Sequence, residues 1–202
     1  MITAFRRRSV FAAMLLCLTA PGATLRGPNA LAHTASEAPP AAMADIAGHF
    51  ALTTADGRSV TDESYRGKWL VIYFGYTSCP DACPLTLNNI GVALDKLGPL
   101  ADKVQPLFII VDPEHDTRAA MTQYLKSFDP RIVGLSGTPK EIAAAANQYH
   151  VYFRTRQLGN GEYTVDHNSL IYVIAPDGQF AKLLTPDLPG HELADQLHAL
   201  IQ

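Results

Sequence analysis

Residues 69–84 read Trp69-Leu70-Val71-Ile72-Tyr73-Phe74-Gly75-Tyr76-Thr77-Ser78-Cys79-Pro80-Asp81-Ala82-Cys83-Pro84. The run from Trp69 to Phe74 is continuously apolar and of strand length, the pattern of a central strand covered on both faces. Gly75 closes it, and a Cys-x-x-x-Cys pair follows at once. Downstream, Leu87, Ile90, Val92, Leu94 and Leu97 suit a helix, with Pro84 acceptable in its first turn and Gly98 at its end. The cysteines therefore stand between the carboxyl end of a buried strand and the start of a helix, where open α/β sheets place their ligands. A helix N-terminus favours the thiolate, the form that ligates metals and attacks disulfides.

The flanking segments supply the rest of the sheet. Phe50 to Thr53, an Asp56-Gly57 turn and Arg58 to Val60 predict an opening hairpin. Pro106 to Val111 predicts a second buried strand, closing in the polar loop Asp112-Pro113-Glu114-His115-Asp116. A helix over 117–128 and a short strand over 132–135 come next. Thr138, Pro139 and Glu141 carry a capping-box pattern for a helix reaching about Tyr149. Val151–Thr155 and Glu162–Val165 pair across Asn160-Gly161, and Ser169–Ala175 and Gln179–Leu183 pair across Asp177-Gly178. A final amphipathic helix runs over 189–201. Strand-helix-strand followed by hairpin and helix predicts an α/β fold, a mixed sheet flanked by helices.

The 202 residues, 48% of them hydrophobic, suffice for one domain with a real core. Arg6-Arg7-Arg8, the apolar stretch Val10 to Ala20 and the small residues Ala30-Leu31-Ala32 predict a signal peptide or N-terminal anchor over 1–32. Cleavage near Ala23 is an alternative, Arg7-Arg8 matches a twin-arginine signal poorly, and Leu16 before Cys17 is bulky for a lipoprotein site. Residues 33–45, rich in Ala and Pro, read as a tether, and residues 46–202 as the domain. The chain carries 16 basic and 19 acidic residues. Without the four arginines of 1–32 this leaves 12 against 19, a net charge of −7, which argues against a nucleic-acid partner.

After export only Cys79 and Cys83 remain, and such a pair forms a disulfide, binds a metal or does redox work. Dithiol reductases of the thioredoxin type leave two residues between their cysteines, whereas this pair leaves three. Helical i, i+4 spacing predicts both sulfurs on one face with β-carbons roughly 5–6 Å apart, wider than a relaxed disulfide prefers. Soft sulfur selects Cu(I) or zinc, and one added imidazole suits three-coordinate copper, while zinc wants a fourth ligand with no obvious candidate here. An inert disulfide clip would close so small a loop that it adds little stability. Spacing alone does not choose among the seven histidines.

The chain resembles the Sco (SenC) family of copper chaperones and cytochrome oxidase assembly factors over roughly residues 46–202. Three segments carry the likeness: Phe74 to Pro84, Val111-Asp112-Pro113-Glu114-His115-Asp116-Thr117, and Val165-Asp166-His167. The resemblance implies a thioredoxin-like fold with an N-terminal hairpin and an inserted hairpin. It implies one copper ion, Cu(I) or Cu(II), held by Cys79, Cys83 and His167. It also implies delivery of copper to, or preparation of the thiols of, the binuclear copper centre in subunit II of cytochrome c oxidase. Periplasmic copper carriers or thiol reductants would be further partners, for a protein either soluble in the periplasm or tethered to the inner membrane. Where the family usually has Arg and Pro, this chain has His115 and Arg118, which bears on partner choice.

Asp166 is expected to orient His167. His115 is read as a solvated loop residue with an auxiliary or docking role as the alternative, and Tyr76 and Asp81 as shaping the loop. His150, His191 and His198 are expected at the surface, while His33, His49 and Met43 lie in or near the tether. Two enzymatic readings compete. In a thiol-disulfide oxidoreductase acting on a copper-accepting protein, Cys79 attacks and Cys83 completes the pair. A thiol peroxidase is disfavoured, because Thr77 stands two residues before Cys79 and not three. No proline accompanies Asp166-His167-Asn168, where reductases place one, which favours ligation.

Overall fold

The computed structural model describes residues 46, 48–159 and 162–202. The segments read as signal peptide and tether, and the Asn160-Gly161 turn, lie outside the described residues. Strand β1 (Ala51–Thr54) turns back antiparallel into β2 (Ser59–Thr61), with Gly57 at φ +89° where the tight turn needs it. Strand β3 (Trp69–Gly75) leads through the cysteine loop into helix α1 (Ala82–Leu97). Strand β4 (Val104–Ile110), helix α2 (Arg118–Leu125) and strand β5 (Val133–Ser136) follow. Helix α3 (Pro139–Gln148) precedes the ribbon of β6 (Phe153–Gly159) and β7 (Glu162–His167). Strands β8 (Ile171–Ile174) and β9 (Phe180–Leu184) and helix α4 (Gly190–Ile201) complete the chain.

Seven strands form one mixed sheet in the order β2-β1-β5-β4-β3-β8-β9, while β6 and β7 form a separate two-stranded sheet. The apolar run is its central strand. Residues Leu70 to Phe74 are all buried, with parallel β4 on one side and antiparallel β8 on the other. Each such side chain contributes about 1.5–3 kcal/mol through burial. Helix α1 packs closely on α4: a methyl group at Gly190 would lie 2.6 Å from Val92 Cβ and 2.7 Å from the Asn89 carbonyl oxygen.

The predicted cap at Thr138 forms. The Thr138 hydroxyl accepts from the Glu141 N–H, and a Glu141 carboxylate oxygen accepts from the Thr138 N–H at 2.8 Å. Helix α2 is shorter than the pattern over 117–128 suggests. It starts after Thr117, whose hydroxyl accepts from the Ala120 N–H at 3.1 Å, and ends at Leu125, with Ser127 and Phe128 folded back in tight turns.

Register delivers the site. Gly75 pairs with Ile110 and Phe74 with Ile109, so parallel β3 and β4 end at the same level. The Val111 N–H then donates to the Gly75 carbonyl at 2.9 Å, and the cysteine loop lies beside the Asp112–Asp116 loop. Antiparallel β8 pairs Ile171 with Tyr73, which brings the chain just before it, His167 to Leu170, to that same end of the sheet.

Candidate metal centre

Cys83 is the second residue of α1, but Cys79 lies outside the helix. The expectation that both sulfurs share one helical face is therefore corrected. Asp81 is the N-cap residue and adopts φ −136°, ψ −67°, so the helix does not extend back to Cys79. The Asp81 side chain makes no capping bond. Instead the Cys79 sulfur accepts from the Cys83 backbone N–H at 3.4 Å, taking the place of a cap at the positive end of the helix dipole.

Cys83 is fully buried on a floor made by β3 and β4. The Tyr73 hydroxyl donates to its sulfur at 3.8 Å. Gly75 passes beneath: a Cβ there would stand 2.8 Å from Cys83 Sγ and 2.7 Å from Phe108 Cε2. Glycine is needed here for close approach, since its φ is not positive. Phe108 stacks between Tyr73 and Tyr124, with centroid separations of 6.3 and 5.9 Å.

Both cysteines are free thiols and differ sharply. The Cys83 thiol donates to the Cys79 sulfur, which holds the Cys79 pKa well below the free-thiol range; the Cys83 and Asp81 N–H groups act the same way, against burial. Cys83 is pushed far up by the same shared proton and by its burial. Ionisation is thus favoured at half-buried Cys79 over buried Cys83.

The second polar loop clamps the first. Asp116, nearly fully buried, accepts from the Thr77 N–H at 2.7 Å and from the Thr77 hydroxyl. Burial raises the Asp116 pKa while the Thr77 bonds oppose the shift. His115 is exposed, as expected of a loop histidine, and has defined partners. Its Nδ1 lies 2.9 Å from both Asp112 carboxylate oxygens, and its ring stacks on Tyr163 of β7 at 4.2 Å. The Tyr163 hydroxyl in turn lies 3.4 Å from Ser78 Oγ. The Asp112 hydrogen bond raises the His115 pKa. This chain of contacts ties the inserted ribbon to the cysteine loop, through residues far apart in the sequence.

His167 is the last residue of β7 and pairs with Phe153. Asp166 does not orient it, a second correction. Strand alternation turns Asp166 to the opposite face, where it pairs with Arg156 at 3.0 Å. The strand expected from the sequence stops at Val165, and two further residues of alternation place Asp166 and His167 on opposite faces. The groups that hold His167 are its Val165 carbonyl neighbour, 3.2 Å from Nδ1, the Ser169 hydroxyl, 2.9 Å from Nε2, and buried Tyr76, whose ring meets it edge-on at 5.9 Å. The Tyr76 hydroxyl lies 3.2 Å from Thr164 Oγ1, a further tie to the ribbon.

Cys79, Cys83 and His167 thus gather at one end of the sheet. Among the described residues, however, no three His, Cys, Asp or Glu side chains stand together ready to hold a metal. Two thiols and one imidazole are a soft donor set suited to copper. Of the remaining histidines among the described residues, His49 pairs with Asp62 at 3.1 Å, His150 follows α3 at φ +52°, and His191 and His198 are exposed on α4; His33 lies outside the described residues.

The SCO1/SenC family model matches residues 38–202 of this sequence. The chain belongs to the SCO1/SenC family. Among its relatives, Protein SCO1 homolog 1, mitochondrial, of Arabidopsis thaliana is 41% identical over 147 residues, covering 72% of this chain and 44% of that protein. Protein SCO1 homolog, mitochondrial, of Homo sapiens is 43% identical over 138 residues, covering 67% of this chain and 46% of that protein. This Sco chain therefore spans less than half the length of these curated relatives. Among solved structures, Bradyrhizobium japonicum ScoI with copper bound aligns at TM-score 0.70 and 46% identity, covering 76% of this chain and 98% of that one. Arabidopsis thaliana ScoI with copper bound aligns at TM-score 0.73 and 38% identity, covering 77% and 98%. The fold is the thioredoxin-like mixed sheet that the resemblance implies. Among the described residues no helix is long and apolar enough to cross a membrane.

Proposed function

We propose that this protein is an extracytoplasmic copper carrier that binds one copper ion through Cys79, Cys83 and His167. It hands the ion to a copper-accepting protein, the binuclear copper centre of cytochrome c oxidase subunit II. Residues 1–32 direct its export, 33–45 tether the domain of 46–202, and the domain works in the periplasm, free or anchored by its N-terminus. The observation that supports this reading is geometric: Cys79 Sγ lies 3.4 Å from the Cys83 N–H, beside the buried Cys83 side chain and at the end of the sheet to which β7 and β8 bring His167. Copper is here the cargo: two soft sulfurs and one imidazole retain it, and a recipient offering further thiolates and imidazoles takes it.

The test is copper titration of the reduced, metal-free protein. About one copper per chain is expected, with His167→Ala binding at least tenfold more weakly. Unchanged affinity in that variant overturns the three-ligand reading.

The unequal cysteines favour a second activity on the same residues. The Cys79 thiolate attacks a disulfide of the recipient and forms a mixed disulfide. Cys83, once deprotonated, displaces the recipient's sulfur, leaving a Cys79–Cys83 disulfide and a reduced recipient. In this reading His167→Ala keeps its reductase activity and copper-free protein is competent, outcomes that a disulfide-reduction assay distinguishes from copper transfer.

A further inference from the structure

Both ring nitrogens of His167 are engaged. Nδ1 lies 3.2 Å from the Val165 carbonyl oxygen, which has no proton to give, so the neutral ring carries its hydrogen on Nδ1. The lone pair is thereby left on Nε2, the one nitrogen able to take a metal. That lone pair is occupied: Ser169 Oγ lies 2.9 Å from Nε2, and its O–H donates to it. The backbone that places Ser169 is not free to drift, because β8 begins two residues later with Ile171 in register against Tyr73.

We propose that Ser169 is a built-in competitor for copper, its hydroxyl holding the Nε2 lone pair of His167 until the ion displaces it. This deepens the proposed function and rests on His167 being a ligand. The two hydrogen bonds divide the work. The Val165 carbonyl fixes the ring and its tautomer from the backbone, so orientation does not require Ser169. The Ser169 bond helps to hold the ring in the metal-free protein but must break before Nε2 can ligate. Copper binding exchanges it for a hydroxyl–water hydrogen bond at this half-buried position, so the affinity of the site is lowered by the net worth of one hydrogen bond. The same exchange restores that bond when the ion leaves, which favours release.

The test compares wild type, Ser169→Ala, Ser169→Thr and His167→Ala in Cu(I) competition against a chromophoric chelator, with stopped-flow binding and 15N NMR of the imidazoles in metal-free protein. Ser169→Ala is expected to bind copper about two- to tenfold more tightly and faster, the range that about 0.5–1.5 kcal/mol of net hydrogen bonding converts to. Ser169→Thr, which keeps the hydroxyl, should match wild type. In Ser169→Ala the Nε2 resonance should move toward that of an unbonded ring nitrogen while Nδ1 keeps its proton, a change that loss of packing alone does not produce. If His167→Ala binds weakly but Ser169→Ala binds no more tightly than wild type, or its Nε2 resonance does not move, this inference is overturned and the ligand reading stands. If His167→Ala binds like wild type, both fall together.

Discussion

Replacing Gly75 by alanine isolates the contact on which the geometry of Cys83 depends. The backbone φ at Gly75 is not positive, so the added methyl is opposed only by its neighbours: Phe108 Cε2 at 2.7 Å, Cys83 Sγ at 2.8 Å and Phe108 Cζ at 3.3 Å. Non-bonded heavy atoms settle at about 3.5–4.0 Å, so ring and sulfur must together withdraw by roughly 0.7 Å or more. Neither has an easy route. Phe108 is fully buried between Tyr73 and Tyr124, and Cys83 is fully buried in the first turn of α1. Overpacking of this kind costs about 1–3 kcal/mol of stability. A ligand set tolerates displacements of only about 0.5 Å, so copper affinity should fall at least about tenfold. Urea unfolding of the reduced, metal-free variant reads the first quantity, and chelator competition for Cu(I) reads the second. A Gly75→Ala protein with wild-type unfolding midpoint and wild-type affinity refutes the reasoning. Lost stability with unchanged affinity would mean that Phe108 alone gives way.

Three further outcomes are expected. In reduced, copper-free protein, Cys79 should be alkylated rapidly at pH 7, where a free thiol is mostly protonated, and Cys83 slowly; Cys83→Ala should slow Cys79 by removing the donor that lowers its pKa. Equal rates at the two cysteines, read by peptide mass spectrometry, would contradict the shared-proton arrangement. Asp166→Asn should leave copper affinity within about twofold and stability within about 1 kcal/mol, because it removes only an exposed pair with Arg156; a large loss of affinity would restore Asp166 as a partner of His167. Asp112 raises the His115 pKa in the folded state, so the stabilisation is complete below the unfolded value of about 6.5 and is lost as pH rises through the higher folded value. Amide exchange protection over 112–117, corrected for intrinsic rates, should fall across that interval in wild type and stay level in His115→Gln.

Much of the fold is legible in the sequence, and the parts that are not share a physical cause. The central strand, the Thr138 capping box and the Asp56-Gly57 turn are local patterns, set by residues within a few positions of one another. The cysteine motif is equally local. The first residue of α1 is not legible, because apolar periodicity marks the face of a helix and not where it begins; the spacing makes Cys79 helical, although Asp81 stops the helix short of it. Asp166 is assigned to the wrong neighbour because a strand ending at Val165 is too short for its alternation to reach that residue. The Thr77–Asp116 clamp and the His115–Tyr163 stack join residues 39 and 48 positions apart in the chain. Such contacts follow from the parallel register of β3 and β4 and from the placement of the ribbon, which no local pattern encodes. Ser169 carries no signal either, since a serine two residues after a histidine is commonplace until the backbone turns one toward the other.

His167 rides on a ribbon, β6 and β7, whose described strands pair only with each other. The main sheet therefore completes its hydrogen bonding without the element that presents the imidazole. Foldability and dwell time of the cargo become separately adjustable quantities. Substitutions at the exposed ribbon positions Arg154 to Leu158 can lengthen or shorten the residence of the ion while leaving the global unfolding midpoint nearly fixed, whereas substitutions at core-buried Val165 or beneath the cysteine loop alter both at once.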